Sequence, residues 1–283
     1  MVKILDKKEL VTMDVTQGGT EISLEPVLEQ KATVLHVIGD CNNCVDEVRY
    51  LLARKNQGYQ EVDMSQYGIV FLGNYFSGDA GFVAMAEYLV LLKSSNRNTI
   101  FLRGYNETLI VKYLLQDNLQ DSEVDDAIAL VDSISRQLGY PLENLKEMNI
   151  NLYNLFMETR LWYDNYNFIF CPASINLDAA WKTTSIDQFF LQQQDMSMKK
   201  NQTGKVIVFG HYAAAELNRS LGLKERKHDV AFWHSNDQSK ICLNGQPALP
   251  GTGKVLGMFI HNEETHPLSS RVGRKKPIVD DLV

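Results

Sequence analysis

The chain has 283 residues, of which 45% are hydrophobic and 22% are charged, which is ordinary for a globular protein with a large core. Its formal net charge of −7 argues against nucleic acid as a partner, because a phosphate backbone is bound by clustered lysine and arginine. No apolar run approaches the roughly 20 residues that cross a bilayer and no export signal begins the chain, so we expect a cytoplasmic protein with no membrane partner and four reduced cysteines.

Residues 1–31 carry a hairpin signal around Gln17-Gly18-Gly19 and are expected to form an extension packed on the main fold. Beyond them, short runs rich in β-branched residues alternate with helical patterns, which predicts an α/β protein. The predicted strands are Thr33–Ile38, Gly68–Leu72, Thr99–Leu102, Asn167–Phe170 and Lys205–Phe209.

Helical patterns follow the first three strands, and the stretch from about 116 to 163 reads as helices with no strand. In the last third, Lys240–Leu243 and Lys254–Ile260 flank a turn that contains glycine and proline, so we expect them to pair and close a second sheet. Because ligand sites lie at the carboxyl ends of strands in open α/β sheets, the polar loops that follow the strands are the candidate site.

Those loops contain Gly39-Asp40-Cys41-Asn42-Asn43-Cys44, Gly73-Asn74, Gly104-Tyr105-Asn106-Glu107, Cys171 and Gly210-His211-Tyr212. In this order and spacing the sequence resembles the calcineurin-like metallophosphoesterases, closest to the serine/threonine protein phosphatase branch. The signatures of that family are GDxHG, GDxxDRG, GNHE, a later His and GHT. The framework is similar too: DCNNCVDEVRYLL resembles DIHGCYDELRALL, LRGYNE resembles LRGNHE, and VIVFGHY resembles IVFGHTP.

The resemblance implies two mixed β-sheets packed face to face and flanked by helices, in four α/β/β/α layers. It places a metallophosphoesterase-like domain at 32–265 and leaves 266–283 as a tail that holds the basic run 271–276. It also implies chemistry by two divalent cations of the Mn, Fe or Zn type, bridged by an Asp and a hydroxide, with a His as acid or base near the leaving group.

Matched residue by residue, two of the seven site positions are retained. Asp40 stands at the first Asp, and His211 at the His of GHT. The other five are substituted: Asn42 stands for the His of GDxHG, Asn74 for the bridging Asp, Tyr105 for the ligand Asn of GNHE, Asn106 for its catalytic His, and Cys171 for the later ligand His.

Loss of the bridging carboxylate is the largest of these defects. A unit charge pair at ~4 Å and an effective dielectric constant of about 20 is worth ~4 kcal/mol, so two cations lose several kcal/mol without it. An amide at 106 cannot exchange a proton near neutral pH as an imidazole does. We therefore expect no catalytic residue and no cofactor, with at most weak residual metal binding by Asp40 and His211.

Several residues have more than one interpretation. Asp40 could cap the following helix instead of binding metal. Arg103 could hold an anion beside His211, or form a salt bridge to Glu107. Zinc sites are built from cysteine and histidine, and the loops contain Cys41, Cys44, Cys171 and His211. A single CxxC is weak evidence for such a site.

Three functions follow from these observations. The favoured hypothesis is an inactive, phosphatase-like protein that binds a protein partner or an anionic small ligand. The second is an active metal-dependent phosphoesterase or protein phosphatase with an atypical site. The third is a metal-free sensor of phosphate or nucleotide.

Overall fold

The computed structural model describes residues 34–53, 67–178, 180–186, 190, 193–220, 232–249, 251–261 and 264–271. The predicted extension at 1–31 lies outside the described residues, as do residues 272–276 of the basic run.

The first sheet has five strands in the order β10-β9-β1-β2-β3. Strands β1, β2 and β3 are parallel, whereas β9 is antiparallel to both β1 and β10. Their bounds are β1 Val34–Ile38, β2 Tyr67–Phe71, β3 Thr99–Phe101, β9 Lys254–His261 and β10 Glu264–Arg271.

The second sheet also has five strands, in the order β4-β5-β6-β8-β7. Its centre is parallel (β5, β6 and β8), and an antiparallel strand lies at each edge. The bounds are β4 Tyr163–Asp164, β5 Phe168–Cys171, β6 Val206–Phe209, β7 Trp233–His234 and β8 Lys240–Cys242.

The α-helices of the described residues follow the strands. Most of them pack with the first sheet, and α7 and α8 lie with the second. Their bounds are α1 Val45–Leu52, α2 Phe82–Ser95, α3 Tyr105–Leu115, α4 Asp121–Leu138, α5 Leu145–Met148, α6 Ile150–Met157, α7 Gln193–Met198 and α8 Ala214–Ser220. Among the described residues, we find no helix with the length and apolar character that a bilayer crossing requires.

Two cores result from the alternation of side chains along the first sheet. Val34 and Ile38 of β1 belong to the cluster shared with helices α1 to α6, and Leu35 and Val37 belong to the cluster shared with the second sheet. All four are buried. A strand buried on both faces is nearly all apolar, and β1 (VLHVI) fits that expectation, with His36 as the single polar residue of a strand that is buried throughout. The predicted α/β class with two facing mixed sheets is confirmed.

Three expectations need correction. Strands β8 and β9 do not pair: β8 joins the second sheet, and β9 runs between β1 and β10 in the first. The domain boundary predicted at 265 falls inside β10, which pairs with β9 as far as Arg271. A short strand, β4, begins at Tyr163, at the end of the stretch expected to be helical.

Candidate functional site

The predicted site loops meet at one edge of the two sheets, where β1, β2, β3 and β6 end. The backbone amides of Cys41 and Asn42 donate to the carbonyl oxygen of Asn74 at 3.2 and 3.0 Å, which joins the first loop to the second. The backbone amide of His211 donates to Asp40 Oδ1 at 2.8 Å, which joins the loop after β6 to the loop after β1. Residues from both sheets therefore form one site.

Several residues of these loops have positive φ angles, which fix the directions of their side chains. The φ angles are 41° at Asn42, 62° at Asn43, 48° at Asn74 and 65° at His211. Asparagine tolerates this left-handed region better than most residues, whereas histidine there is uncommon. Left-handed residues of this kind cluster where a site demands a particular geometry.

Two motif glycines are required by close backbone packing. A Cβ at Gly104 would lie 2.2 Å from the backbone nitrogen of Asn74, and a Cβ at Gly210 would lie 2.3 Å from Asp40 Oδ1. Both distances are shorter than any normal contact. The glycines of the GNHE-like and GHT-like motifs therefore allow the loops to approach one another.

Asp40, Asn74 and His211 form the centre of the site. Asn74 Nδ2 donates to Asp40 Oδ2 at 2.9 Å and lies 3.3 Å from His211 Nδ1. Asp40 is 4% exposed and Asn74 is 8% exposed, so this contact is largely shielded from water. The side chain that replaces the family's bridging carboxylate is thus hydrogen-bonded between the two retained residues.

The orientation of the Asn74 amide is fixed by its neighbours. Its oxygen accepts a hydrogen bond from the backbone amide of Asn106 at 3.1 Å, and a backbone N–H can only donate. The amide nitrogen must therefore point towards Asp40 and His211. The face presented to the two retained residues carries N–H hydrogens, which have partial positive charge.

Burial changes the pKa values of both retained residues. Loss of hydration raises the pKa of Asp40 to about 6, although bonds from His211 and Asn74 oppose the shift. Burial also lowers the pKa of His211 to about 4. Near pH 7 the site therefore contains an ionised carboxylate and a neutral imidazole.

Glu107 connects the loop after β2 to the start of α3. Its carboxylate accepts backbone N–H bonds from Asn74 at 2.7 Å, Phe76 at 3.0 Å and Gly104 at 3.0 Å, and the side chain is fully buried. Desolvation raises its pKa to about 7 even so. The suggested salt bridge from Arg103 to Glu107 is wrong, because backbone amides occupy the carboxylate.

The side chains of Arg103, a candidate for anion binding, and of Asn106, at the position of the family's catalytic His, bond to other parts of the chain. Arg103 donates through Nε to Thr159 Oγ1 at 2.8 Å, and also to the carbonyl oxygen of Thr159. The side-chain nitrogen of Asn106 donates to the carbonyl oxygen of Phe76 at 2.8 Å. Both contacts hold these side chains against the protein.

Aromatic rings surround His211. The centroid of its ring lies 5.4 Å from Phe190, 5.4 Å from Tyr212 and 6.2 Å from Tyr105. Tyr105 and Phe190 also contact each other edge to face, with centroids 5.7 Å apart. Tyr105, at the position of a metal-binding Asn, thus contributes an aromatic ring to the covering of the site.

The cysteines do not form a metal centre. Cys171 and Cys41 are fully buried and Cys44 is partly buried, and burial raises the pKa of each thiol. The thiol of Cys171 lies in the core between the sheets, close to the carbonyl oxygen of Val208. Within the described ranges, no group of three or more His, Cys, Asp or Glu side chains is placed to hold a metal ion.

The two asparagines of the first loop differ in their side-chain contacts. Asn43, at the second glycine of GDxHG, donates to Ser77 and to the carbonyl oxygen of Asp79, which ties the first loop to the loop after β2. The buried side-chain oxygen of Asn42 has no hydrogen-bond partner among the described residues. The sequence does not predict the side-chain contacts of Asn43, for which the change from glycine to asparagine is the only signal. It does not predict the contact of Phe190 with His211 either, because no motif marks Phe190.

The described residues do not fit a pair of divalent cations. Each oxygen of the Asp40 carboxylate already accepts a hydrogen bond, and an amide N–H group faces the imidazole. Divalent cations need convergent oxygen or nitrogen lone pairs, and anionic ligands above all. At the bridging position, Asn74 presents N–H hydrogens in place of a carboxylate.

The comparisons with known proteins concern the fold. No protein-family model matches the sequence, and no curated protein sequence matches it significantly. A solved structure described as a candidate diadenosine tetraphosphatase is similar at a TM-score of 0.57, with 10% identity over 86% of this chain and 96% of that one. A cold-active protein tyrosine phosphatase from a psychrophilic Shewanella species has a TM-score of 0.52, with 10% identity over 83% of this chain and 80% of that one.

These likenesses span most of the chain, and the polar loops lie at the carboxyl ends of the parallel strands. The order of the motifs along the sequence agrees with the order of the loops around the site. The chain has the calcineurin-like metallophosphoesterase fold.

Proposed function

We propose that this protein binds a protein partner through a phosphatase scaffold and does not hydrolyse phosphate esters. One observation carries the proposal: the Asn74 amide nitrogen lies 2.9 Å from Asp40 Oδ2 and 3.3 Å from His211 Nδ1. An asparagine N–H group thus satisfies the two residues that would otherwise hold metal.

The loss of acid–base chemistry supports the same proposal. Asn106 stands at the position of the family's catalytic His, and its amide neither gives nor takes a proton near neutral pH. Its side chain is also held by the carbonyl oxygen of Phe76. Even a metal bound nearby would lack that proton donor for the leaving group.

Charge favours a protein over an anionic small ligand at this site. With a pKa of about 6, Asp40 is mostly ionised at pH 7, and with a pKa of about 4, His211 is neutral. Arg103 is turned to Thr159. A phosphate group at the centre of the site would therefore meet the buried negative charge of Asp40.

The test is hydrolysis of p-nitrophenyl phosphate with and without Mn²⁺, by the wild type and by Asp40→Asn. The proposal expects equal, background rates for both proteins, because Asp40 holds no catalytic metal. A matched control is Asp117→Asn, which changes an exposed carboxylate after α3, outside the site loops. Turnover that needs Mn²⁺ and disappears only in Asp40→Asn would overturn the proposal.

A further inference from the structure

We infer that a surface site formed by Trp162, Trp181 and Asp164 binds a quaternary ammonium group. These three residues, called the tryptophan cage below, lie beside β4, an edge strand of the second sheet. In the structure the side chain of Lys182 occupies the tryptophan cage. The cage shares no residue with the degenerate site, so the inference does not depend on the proposed function.

The two indole rings of the cage meet almost at a right angle. Their centroids are 5.0 Å apart, and their planes are inclined by 78°. Both side chains are partly exposed, whereas Trp233 is buried. Both also pack against the apolar core between the two sheets, which holds the rings in position before any ligand arrives. The cage is therefore a rigid aromatic site at the protein surface.

A cation already lies over the two rings. Nζ of Lys182 is 4.9 Å from the centroid of Trp162 and 5.4 Å from the centroid of Trp181, and both distances are within the ~6 Å range of cation–π attraction. The Lys182 side chain is 51% exposed. An exposed cation–π contact is weak, so this side chain can move into water at little cost. The ammonium of Lys182 thus marks the position of a ligand's cation and competes for it.

The carboxylate of the cage favours a cation without N–H groups. Lys182 Nζ lies 3.7 Å from Asp164 Oδ1, which is longer than a hydrogen bond. The other oxygen, Asp164 Oδ2, accepts a bond from Lys205 at 2.6 Å. A primary ammonium or a guanidinium in the cage would therefore turn some donors towards the ring faces, where they lose water. A quaternary ammonium has no donor to leave unsatisfied, and its methyl groups contact the rings.

Other classes of ligand fit the cage less well. A metal ion would meet a single carboxylate, because indole rings provide no ligand atom. An anion would face the negative faces of the two rings. Asp164 and Lys205 carry opposite charges, so without Lys182 the rings provide most of the attraction for a cation.

The test uses two ligands that carry the same trimethylammonium group. Nα-acetyl-trimethyllysine amide represents a methylated side chain of a partner protein, and choline represents a free small molecule. The uncharged 3,3-dimethylbutanol, which has the shape of choline, is the control. Saturation-transfer NMR on the ligand methyl protons measures weak binding without relying on tryptophan fluorescence. We expect both cations to bind and the alcohol not to bind, and the tighter cation identifies the source.

Removing the resident cation should strengthen binding. Lys182→Ala should raise the affinity for choline about fivefold, because the competing side chain is gone. Its exposure makes a folding defect from this substitution small. Lys146→Ala is the matched control, since it also removes an exposed lysine from an aromatic ring, that of Tyr153, and should leave the affinity unchanged.

Removing a ring should have the opposite effect. Trp162→Ala and Trp181→Ala should each weaken choline binding at least about tenfold, as loss of an aromatic anchor does at other sites. Circular dichroism checks that both variants are folded. If either is not, the comparison of Lys182→Ala with Lys146→Ala still decides the inference.

Three results would overturn the inference. The first is no binding of either cation by Lys182→Ala. The second is equal binding of choline and 3,3-dimethylbutanol, which would show an apolar site indifferent to charge. The third is an equal gain of affinity in Lys182→Ala and Lys146→Ala.

Discussion

At the scale of single residues, Asn74 decides what the site can do. Aspartate and asparagine differ by one charge and by the exchange of an acceptor oxygen for a donor nitrogen. The backbone amide of Asn106 fixes the side-chain oxygen, so the donor must face Asp40. The substitution therefore removes the family's bridging anion and fills its place with a hydrogen-bond donor.

Asn74→Asp should destabilise the protein in the absence of added cations. Two carboxylates would meet where a hydrogen bond of 2.9 Å now lies, and a like-charge pair near 4 Å costs ~4 kcal/mol at an effective dielectric constant of about 20. We expect a loss of about 2–4 kcal/mol in the unfolding free energy at pH 8, and a smaller loss at pH 5, where the pair can share a proton.

Urea unfolding at the two pH values checks this prediction. Asn74→Ala is the control, because it removes the same hydrogen bonds without adding a charge. Equal stability of Asn74→Asp and the wild type at pH 8 would show that Asn74 and Asp40 are not in contact.

The shifted pKa values of Asp40 and His211 predict opposite pH dependences. Folding raises the pKa of Asp40 from 3.8 to about 6. Between these pH values Asp40 is protonated more in the folded state than in the unfolded state, so its contribution to the unfolding free energy falls as the pH rises. Folding lowers the pKa of His211 from 6.5 to about 4. Between these pH values His211 is protonated more in the unfolded state, so its contribution to the unfolding free energy rises with pH. Each effect is worth up to about 3 kcal/mol.

Two variants separate these effects between pH 4 and 6.5. Relative to the wild type, the stability of Asp40→Asn should rise across this window, and the stability of His211→Gln should fall. Glu107 titrates in all three proteins and cancels in the comparison. Parallel stability curves for the three proteins would be evidence against the buried positions of these side chains.

The sequence predicts which residues form the site but not how they interact. Asp40 and His211 are identified by motif, and the structure brings them together. The direction of the Asn74 amide depends on the backbone of Asn106 in another loop, and motif spacing carries no such information. The contact from Arg103 to Thr159 was missed for the same reason, since 56 residues separate the pair.

At the scale of elements, Glu107 clamps the loop after β2 to the first turn of α3. Its two oxygens accept three backbone N–H bonds within a fully buried setting. Glutamate at the third position of a helix commonly satisfies the amide at the start of that helix. Here it also satisfies two amides of a different loop, so it fixes the position of Asn74.

Glu107→Gln should destabilise the protein by about 1–3 kcal/mol, because the amide nitrogen of glutamine would face a backbone N–H and leave buried donors unsatisfied. Thermal or urea unfolding measures the loss. Glu216→Gln alters an exposed side chain and should change the stability by less than about 0.5 kcal/mol. An equal change in unfolding free energy for the two substitutions would show that Glu107 does not hold the loop after β2 to α3.

Lys240 holds the end of α7 against the second sheet. It is 2% exposed, and its Nζ donates to the carbonyl oxygens of Met196, Ser197 and Lys199, near the end of the helix where positive charge is favoured. Burial lowers its pKa. A lysine at the first position of a short strand gives no sequence signal for this role.

Lys240→Met should remove those bonds while keeping the length of the side chain. We expect faster amide hydrogen exchange in 193–198 and a global loss of about 1–3 kcal/mol, with unchanged exchange in β1 and β2. The exposed Lys200→Met is the matched control. Unaltered protection of 193–198 would argue against the role assigned to Lys240.

The strands most accurately predicted from sequence are those buried on both faces. Strands β1, β2 and β6 are continuous apolar runs bounded by polar loops, so their predicted ends are within about two residues of the observed ones. Strands β8 and β9 looked like a hairpin, because spacing along the chain does not say which sheet each strand joins. Strand β10, with the sequence ETHPLSSR, is polar and contains a proline, as edge strands can. Its sequence therefore predicts a tail and not a strand.

At the scale of the whole molecule, the fold is that of the metallophosphoesterases, and we propose that the metal chemistry has been lost. Both sheets, the order of the loops and the close approach of Gly104 and Gly210 match what a metallophosphoesterase requires. Fold alone does not establish function, so the proposed function depends on the state of the metal site.

Metal content is the most direct test of that state. The protein is purified without chelator, dialysed against Mn²⁺ and Zn²⁺, desalted and measured by elemental analysis beside Asp40→Asn. We predict far less than one ion per chain for both proteins, because Asn74 provides an N–H group where two cations would need a carboxylate. One or two ions per wild-type chain, lost in Asp40→Asn, would contradict the account and identify a functional metal centre.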